Sequence, residues 1–269
     1  MIIGYLTEFF TGSPLLLWMT VFLIGRTVER VFPPERGQPS RTVIINIGYA
    51  IVYSWVAFTL VPTAIAASVI VVNSLGGGGL IELPENGWGL LWAIPLYLLA
   101  MDFLEYIFHR AQHAWPFLWA MHSLHHSDTS VNVTTTPRHF WIEVAIKLLF
   151  VYPLIAILFK PSAAIIGAYI VMGYWNFVVH MNVRLSFGRF WVVLTSPQYH
   201  RIHHAADARY ADRNFAALFP VYDLIFGTYF RAAKDEYPST GLGSSEGPSL
   251  FETITWPLHR HLRAPAQTV

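Results

Sequence analysis

Long apolar runs separated by short polar connections dominate the chain, a pattern typical of membrane-spanning helices. Roughly 20 apolar residues carry a helix across a bilayer, and several runs approach that length. They lie near residues 9–27, from residue 43 onward, and at 88–108, 142–159 and 163–180. The pattern predicts an all-α fold, specifically a polytopic membrane helix bundle.

The placement of charge predicts the orientation of these runs. The first connection carries Arg26, Arg30, Arg36 and Arg41, which the positive-inside rule assigns to the cytoplasm. The connection before residue 88 carries Glu82 and Glu85 and no basic residue, so we expect it outside. Hydropathy alone leaves open whether Pro62 kinks the second run or divides it into a hairpin. A hairpin would place the later arginines outside, so we expect one crossing and a cytoplasmic helical cap from residue 184 onward.

Three segments follow from this organisation. Residues 1–40 are predicted to form an N-terminal membrane helix, retained because no small-residue cleavage pattern precedes Arg26, and a cytoplasmic loop. Residues 41–232 form the central membrane domain. Residues 233–269 form a polar tail that we expect to be peripheral, since Gly, Ser and Pro interrupt it beyond Thr240.

Composition narrows the possible functions. Charged residues make up 12% of the chain and the net charge is +1, so no nucleic-acid partner is indicated. The chain has no cysteine, which excludes disulfides, thiolate-bound zinc and iron–sulfur clusters. The 12 histidines are unusual in so apolar a chain and require an explanation.

Eight of the histidines fall into three clusters whose spacing puts each cluster on one helix face. The clusters are His109 with His113, His122 with His125 and His126, and His200 with His203 and His204. Pro116 predicts a helix start before the second cluster, and Ser196 with Pro197 predicts one before the third. Core packing would leave eight imidazoles in need of partners, whereas metal ions would supply them.

The number of histidines indicates a di-metal site. Eight ligands make about four per ion, and His180 at the end of the last apolar run is a ninth candidate. Imidazole ligands suit iron, zinc, copper or nickel. We favour iron, because a redox-active pair can activate dioxygen and zinc cannot. We expect Asp128, Asp207 and Glu105 to orient the rings, His139 to be structural or to support a ligand, and His259 and His261 to be solvated.

The three boxes, with the last two about 75 residues apart, resemble the fatty acid hydroxylase/sterol desaturase superfamily. The resemblance covers residues 40–232 and extends to the segments His180-Met-Asn182, Arg213-Asn-Phe215 and Phe226-Gly-Thr-Tyr229. It implies a membrane non-haem di-iron enzyme that uses dioxygen to hydroxylate or desaturate a lipid such as a fatty acyl chain or sterol. The implied iron ligands are His109, His113, His122, His125, His126, His180, His200, His203 and His204.

One departure from the family pattern leaves the role of His139 open. Members often carry His-Pro after the second box, where this chain reads Arg138-His-Phe-Trp141. The chain also lacks a dinucleotide signature and a haem-loop sequence of the cytochrome b5 type. We therefore expect electrons from a separate donor protein.

Three other classes of metalloprotein fit less well. An intramembrane zinc hydrolase needs His-Glu-x-x-His, and Arg110 stands at the glutamate position. A metal transporter needs ligands along a pore in mid-membrane, whereas these cluster at the ends of apolar runs. A bis-histidine haem carrier needs single facing histidines rather than dense triples.

Overall fold

A computed structural model of the chain describes residues 14–243 and 248–260. The described part is mostly helical. Its helices are α1 Pro14–Val31, α2 Ser40–Ser74, α3 Leu90–Ala114, α4 Pro116–His126, α5 Glu143–Leu158, α6 Ala163–Gly173, α7 Trp175–Val179, α8 Pro197–His203, α9 Val221–Ile225, α10 Leu250–Ile254 and α11 Trp256–Arg260. Two short strands, β1 Ile81–Glu82 and β2 Phe159–Lys160, and four single 3-10 turns complete the described part. The side chain of His259 and the whole of His261 lie outside the described residues, and so does their expected solvation.

Within the described residues, two helices are long and apolar enough to cross a membrane. They are Ser40–Ser74, with a mean hydropathy of 2.2, and Gly87–Ala114, with 1.6, the latter including the turn before α3. Pro62 lies inside α2, which continues unbroken for 35 residues, so the chain does not turn back there. Such a helix is about 52 Å long, against about 30 Å of hydrocarbon. Segment Ala163–Val179 is a shorter apolar helix, interrupted between α6 and α7.

The helices place the histidines at one end of the molecule and the strands at the other. Strand β1 pairs in parallel with β2, with Ile81 opposite Phe159, so α2 and α5 run side by side in one direction. Helices α3 and α6–α7 then return to the histidine end. The loop before β1 passes close to the end of α5 and requires Gly78, where an added Cβ would lie 2.2 Å from the Ala156 carbonyl oxygen.

Large apolar side chains line the outside of these helices as well as the core. Trp55 of α2 is 75% exposed, Leu91 of α3 is 68% exposed and Val171 of α6 is 70% exposed. Soluble monomers rarely expose apolar surface of this extent. The outer surface is suited to lipid, and the protein is membrane-associated.

The first and last described helices both pack onto the histidine end. Helix α1 packs there through Phe22, whose ring centroid is 5.9 Å from that of Phe177. Trp256 is 1% exposed and donates to the Ser123 hydroxyl at 2.9 Å. The tail, which we expected to be peripheral, is thus anchored at Trp256, whose indole packs into the core beside α4.

Candidate metal centre

The three histidine boxes lie on α3, α4 and α8, with His180 directly after α7. The predicted helix starts are confirmed. Pro116 is at the first turn of α4, and the Ser196 hydroxyl accepts the Tyr199 N–H at 3.2 Å ahead of α8. The histidines of α4 and α8 thus project from short helices, one begun by a proline and the other capped by a serine.

All nine predicted histidines come together, in two groups. Within each group the candidate ligand atoms lie within 4.8 Å of one another. Group A is His109, His113, His122, His126 and His203, and group B is His125, His180, His200 and His204.

Adjacent residues on α4 and α8 divide between the two groups. His126 belongs to group A and His125 to group B; likewise His203 belongs to A and His204 to B. The rings of His126 and His204 stack across the boundary with centroids 4.5 Å apart. The two groups therefore lie side by side, and α4 and α8 both contribute histidines to each of them.

The Nε2 atoms within each group have the spacing of ligands around one ion. Imidazoles bound at 2.0–2.1 Å and about 90° apart have nitrogens about 3.0 Å from each other. In group A the Nε2 atoms of His109 and His122 are 3.1 Å apart, and those of His113 and His126 are 3.2 Å apart. In group B the distances are 3.1 Å for His125–His180, 3.0 Å for His180–His200 and 3.2 Å for His200–His204.

Backbone carbonyls determine which ring nitrogen carries the proton. A carbonyl can only accept, so the Nδ1 facing it donates, and in a neutral ring this leaves a lone pair on the Nε2 that faces the group. Three rings are held in this way: His109 by Phe215 O at 2.7 Å, His180 by Asn176 O at 2.6 Å and His203 by Arg213 O at 2.9 Å. Lone pairs converging on one point repel each other unless a cation lies between them.

Asp223 holds the segment that supplies two of these carbonyls. Its carboxylate accepts the N–H groups of Phe215 at 2.8 Å and Ala216 at 2.9 Å, and the Tyr199 hydroxyl from α8. One buried carboxylate therefore links α8 to the loop that orients His109 and His203.

Two carboxylates orient further rings. Glu143 Oε2 accepts the His122 Nδ1–H at 3.1 Å and the Gln112 amide at 2.6 Å. Asp212 accepts the His113 Nδ1–H at 3.2 Å, and this bond lowers the pKa of the aspartate. Neither residue has a spacing signal in the sequence, since Glu143 is 21 residues from His122 and Asp212 is 99 from His113.

The acids expected to orient rings have other partners. Asp128 accepts from Asn46 at 2.8 Å and Thr135 at 2.7 Å. Asp207 accepts the backbone N–H of Arg209, and Glu105 accepts the hydroxyl of Tyr169 and pairs with Lys147. The expectation is wrong for all three. It rested on proximity in sequence, whereas in the fold these side chains point to other partners.

His139 lies beside the two groups and belongs to neither. Its ring stacks on His125 with centroids 4.0 Å apart and planes at 16°. Its Nδ1 is 3.5 Å from Glu143 Oε2, and Glu143 also binds His122. From this position His139 can support the His125 ring by stacking, and it lies near the carboxylate that binds His122, without being a member of either group.

The donor set fits a metal. The Nε2 of His203 is buried and has no hydrogen-bond partner among the described residues, a deficit that costs about 1–3 kcal/mol. A cation within group A would satisfy it. Burial lowers the pKa of His122 to about 4 despite the bond to Glu143, and burial lowers the pKa values of His203 and His204 well below the usual range. These rings are neutral at pH 7, as ligation requires.

Comparison with known proteins agrees with this geometry. A family model described as fatty acid hydroxylase matches residues 94–228, which include all nine histidines. Alkylglycerol monooxygenase of Xenopus tropicalis is 31% identical over 197 residues, covering 72% of this chain and 42% of the relative. The Homo sapiens protein of that name is 31% identical, covering 67% and 38%.

A bacterial relative is more distant. Ornithine lipid hydroxylase OlsE of Rhizobium tropici is 22% identical over 173 residues, covering 64% of this chain and 52% of its own length. The chain spans only about two-fifths of the alkylglycerol monooxygenases, and no solved structure matches it. The match over residues 94–228, with both histidine groups inside it, shows that the chain belongs to the fatty acid hydroxylase family.

Proposed function

We propose that this protein is a membrane di-iron oxygenase that hydroxylates or desaturates a lipid, such as a fatty acyl chain or sterol. The observation that carries the proposal is the pair of adjacent imidazole groups, A and B, to both of which α4 and α8 contribute histidines. Relatives named as an alkylglycerol monooxygenase and an ornithine lipid hydroxylase support a lipid substrate.

The nine histidines are the proposed ligands, five for one iron in group A and four for the other in group B. Bound iron would supply the redox chemistry that lets dioxygen oxidise an unactivated C–H bond. In hydroxylation one oxygen atom enters that bond and the other leaves as water, with two electrons and two protons consumed. The electrons come from a separate donor protein in this proposal.

The other residues around the site orient the histidine rings and exclude water from the metal site. Glu143 and Asp212 hold the Nδ1–H groups of His122 and His113, and the carbonyls of Phe215 and Arg213 hold those of His109 and His203. Replacing such a hydrogen-bond partner of a metal ligand typically lowers metal affinity or activity by about 10–100-fold. Burial of the rings keeps bulk water from the site.

The membrane arrangement belongs to the same proposal. We assign α2, α3, α5 and α6–α7 as crossings, with β1 and β2 outside and the histidine end in the cytoplasm, on the positive-inside argument. The exposed apolar faces of α2 and α3 support it. A lipid chain in the bilayer would then approach groups A and B from the membrane side.

The test compares lipids from cells with and without the gene, grown under dioxygen labelled with the heavy oxygen isotope. Hydroxylation predicts a lipid that carries one labelled oxygen and is absent when His122→Ala replaces the wild type. Desaturation predicts loss of two hydrogens with no label retained. Identical lipids in all three strains, with the protein present and loaded with iron, would refute the proposal.

A further inference from the structure

An open cavity of about 600 Å³ lies on the cap beside α8, lined by residues outside groups A and B. Gln198 lines it and donates to the carbonyl oxygens of Ala233 at 2.9 Å and Glu236 at 2.8 Å. Trp191 and Tyr229 form an aromatic wall, with ring centroids 4.6 Å apart. These hydrogen bonds and ring contacts hold the lining side chains in place.

The lining carries excess positive charge. Arg231 and Lys234 both line the cavity, and within residues 14–243 and 248–260 neither forms an ion pair with a carboxylate. The Arg231 guanidinium lies over the Trp191 ring, 5.2 Å from its centroid. Glu236 also lines the cavity, but its carboxylate already accepts from the Ala233 N–H at 2.8 Å and from the Tyr210 hydroxyl. The cavity therefore suits an anion.

Exposed apolar side chains flank the cavity next to its lining residue Trp191. Phe190 is 56% exposed and Val193 is 52% exposed, on either side of the lining residue Trp191. The Trp175 indole donates to the Thr195 carbonyl at 3.0 Å, which ties this stretch to the end of the apolar helix α6–α7.

A second exposed apolar stretch leads into the cavity from α9. Ile225 is 66% exposed, four residues before the lining residue Tyr229. The Tyr222 hydroxyl donates to the Leu99 carbonyl at 2.6 Å, so α9 packs against the proposed crossing α3. Both flanking stretches thus adjoin proposed crossings, which puts the cavity beside the bilayer; this placement rests on the proposed function and its topology.

We propose that this cavity binds the phosphate-bearing headgroup of an anionic membrane lipid. Arg231 and Lys234 would meet the phosphate, since basic residues near a bilayer attract anionic lipid by about 1 kcal/mol each. Trp191 and Tyr229 are the residue types enriched at membrane interfaces. The exposed Phe190 and Val193 would contact acyl chains, which favours a lipid over an acidic protein as the occupant.

The experiment uses the full chain, purified in detergent, stripped of lipid and offered equal amounts of phosphatidylglycerol and phosphatidylcholine. Native mass spectrometry then counts the lipid retained. We expect preferential retention of phosphatidylglycerol, weakened about fivefold by Arg231→Gln or Lys234→Gln and about 25-fold by both. Arg36→Gln, which removes an exposed cation outside the cavity, should retain phosphatidylglycerol like the wild type.

Several outcomes overturn the proposal. Equal retention of the two lipids would do so, as would wild-type retention by the double variant. Glycerol phosphate competing as strongly as short-chain phosphatidylglycerol would assign the cavity to free phosphate. Slower reduction by an acidic donor protein, with lipid retention unchanged in the double variant, would assign it to the redox partner.

Iron content and turnover measured on the same samples separate this inference from the proposed function. Normal iron and turnover with wild-type lipid retention in the double variant would refute only the lipid site. Headgroup-selective retention that the double variant loses, in a protein without iron or turnover, would refute only the oxygenase. Unchanged melting temperatures of the variants in detergent show that they are folded, whether or not iron is bound.

Discussion

The carboxylate of Glu29 in α1 accepts the backbone N–H of Asn182 at 2.8 Å, two residues beyond His180. The same oxygen, Oε1, accepts the Val133 N–H at 2.7 Å, and the other oxygen pairs with Arg26 at 2.6 Å. Glu29 lies outside the residues matched by the family model, yet it holds the backbone that follows a group B histidine. Helix α1 therefore contributes to the geometry of the candidate metal centre.

Replacing Glu29 by alanine should reduce metal in group B. The change leaves two N–H groups without an acceptor, which costs about 1–3 kcal/mol each when they are buried. We expect a lower melting temperature in detergent and less than the wild-type iron per chain. Glu85→Ala, an exposed acid in the loop before α3, is the matched control and should change neither quantity. Wild-type iron and stability in Glu29→Ala would show that α1 is only an anchor.

Replacing His180 by alanine tests the ligand with the least support from spacing. Its Nε2 is 3.1 Å from that of His125 and 3.0 Å from that of His200, so we expect loss of turnover and of about half of the bound iron while the protein still inserts. His259→Ala should retain both. Wild-type iron content and activity in His180→Ala would show that His180 is not an iron ligand.

Replacing Glu143 by glutamine should weaken metal retention in group A. Glu143 Oε2 accepts from both His122 and Gln112, and the amide loses the negative charge that holds the His122 Nδ1–H. We expect iron to leave for a chelator about 10–100-fold more readily. Asp207→Asn alters a carboxylate that, among the described residues, contacts Arg209 and no histidine ring, and it serves as the control. Equal chelator resistance in the two variants would contradict the orienting role.

Acid should destabilise the metal-free protein. Burial lowers the pKa of His122 to about 4 and lowers the pKa values of His200, His203 and His204 well below the usual range. Below about pH 6.5 the unfolded chain binds protons on these rings that the folded chain does not, so stability falls as pH falls from 6.5 toward 4. The melting temperature of the metal-free protein, measured from about pH 7 to about pH 5, should drop throughout. A flat profile would mean that the rings are hydrated when metal is removed.

Much of the candidate site was predictable because its signals are local. Spacings of three and four residues put His122, His125 and His126 on one face of α4, and Ser196 with Pro197 marked the start of α8. Assignment to groups A and B was not predictable, since His125 and His126 adjoin in sequence and separate only when α8 packs across them.

The orienting contacts were missed because they are made across the fold. Glu143 meets His122 only through the packing of α5 on the site, and the carbonyls of Phe215 and Arg213 carry no side-chain signal. The burial of Trp256 against Ser123 joins residues 133 positions apart. Hydropathy identified the apolar runs, whereas the break between α6 and α7 near Gly173 and Tyr174 leaves no clear trace in composition.

The proposed orientation can be tested by labelling, since the chain has no cysteine of its own. A membrane-impermeant maleimide applied to intact cells should label Glu85→Cys in the loop before α3. Asp235→Cys on the cap should be labelled only after the cells are opened. Labelling of Asp235→Cys in intact cells would reverse the assigned sides without affecting groups A and B.

Groups A and B are proposed to hold one iron each, which the metal content of the purified protein can show. The full chain, produced in iron-replete medium and purified in detergent, should contain two irons per chain by elemental analysis. Mössbauer spectra should show both irons in nitrogen-rich surroundings, and His122→Ala with His203→Ala should lower the iron by about half. A single metal per chain, or zinc in place of iron, would contradict the di-iron account.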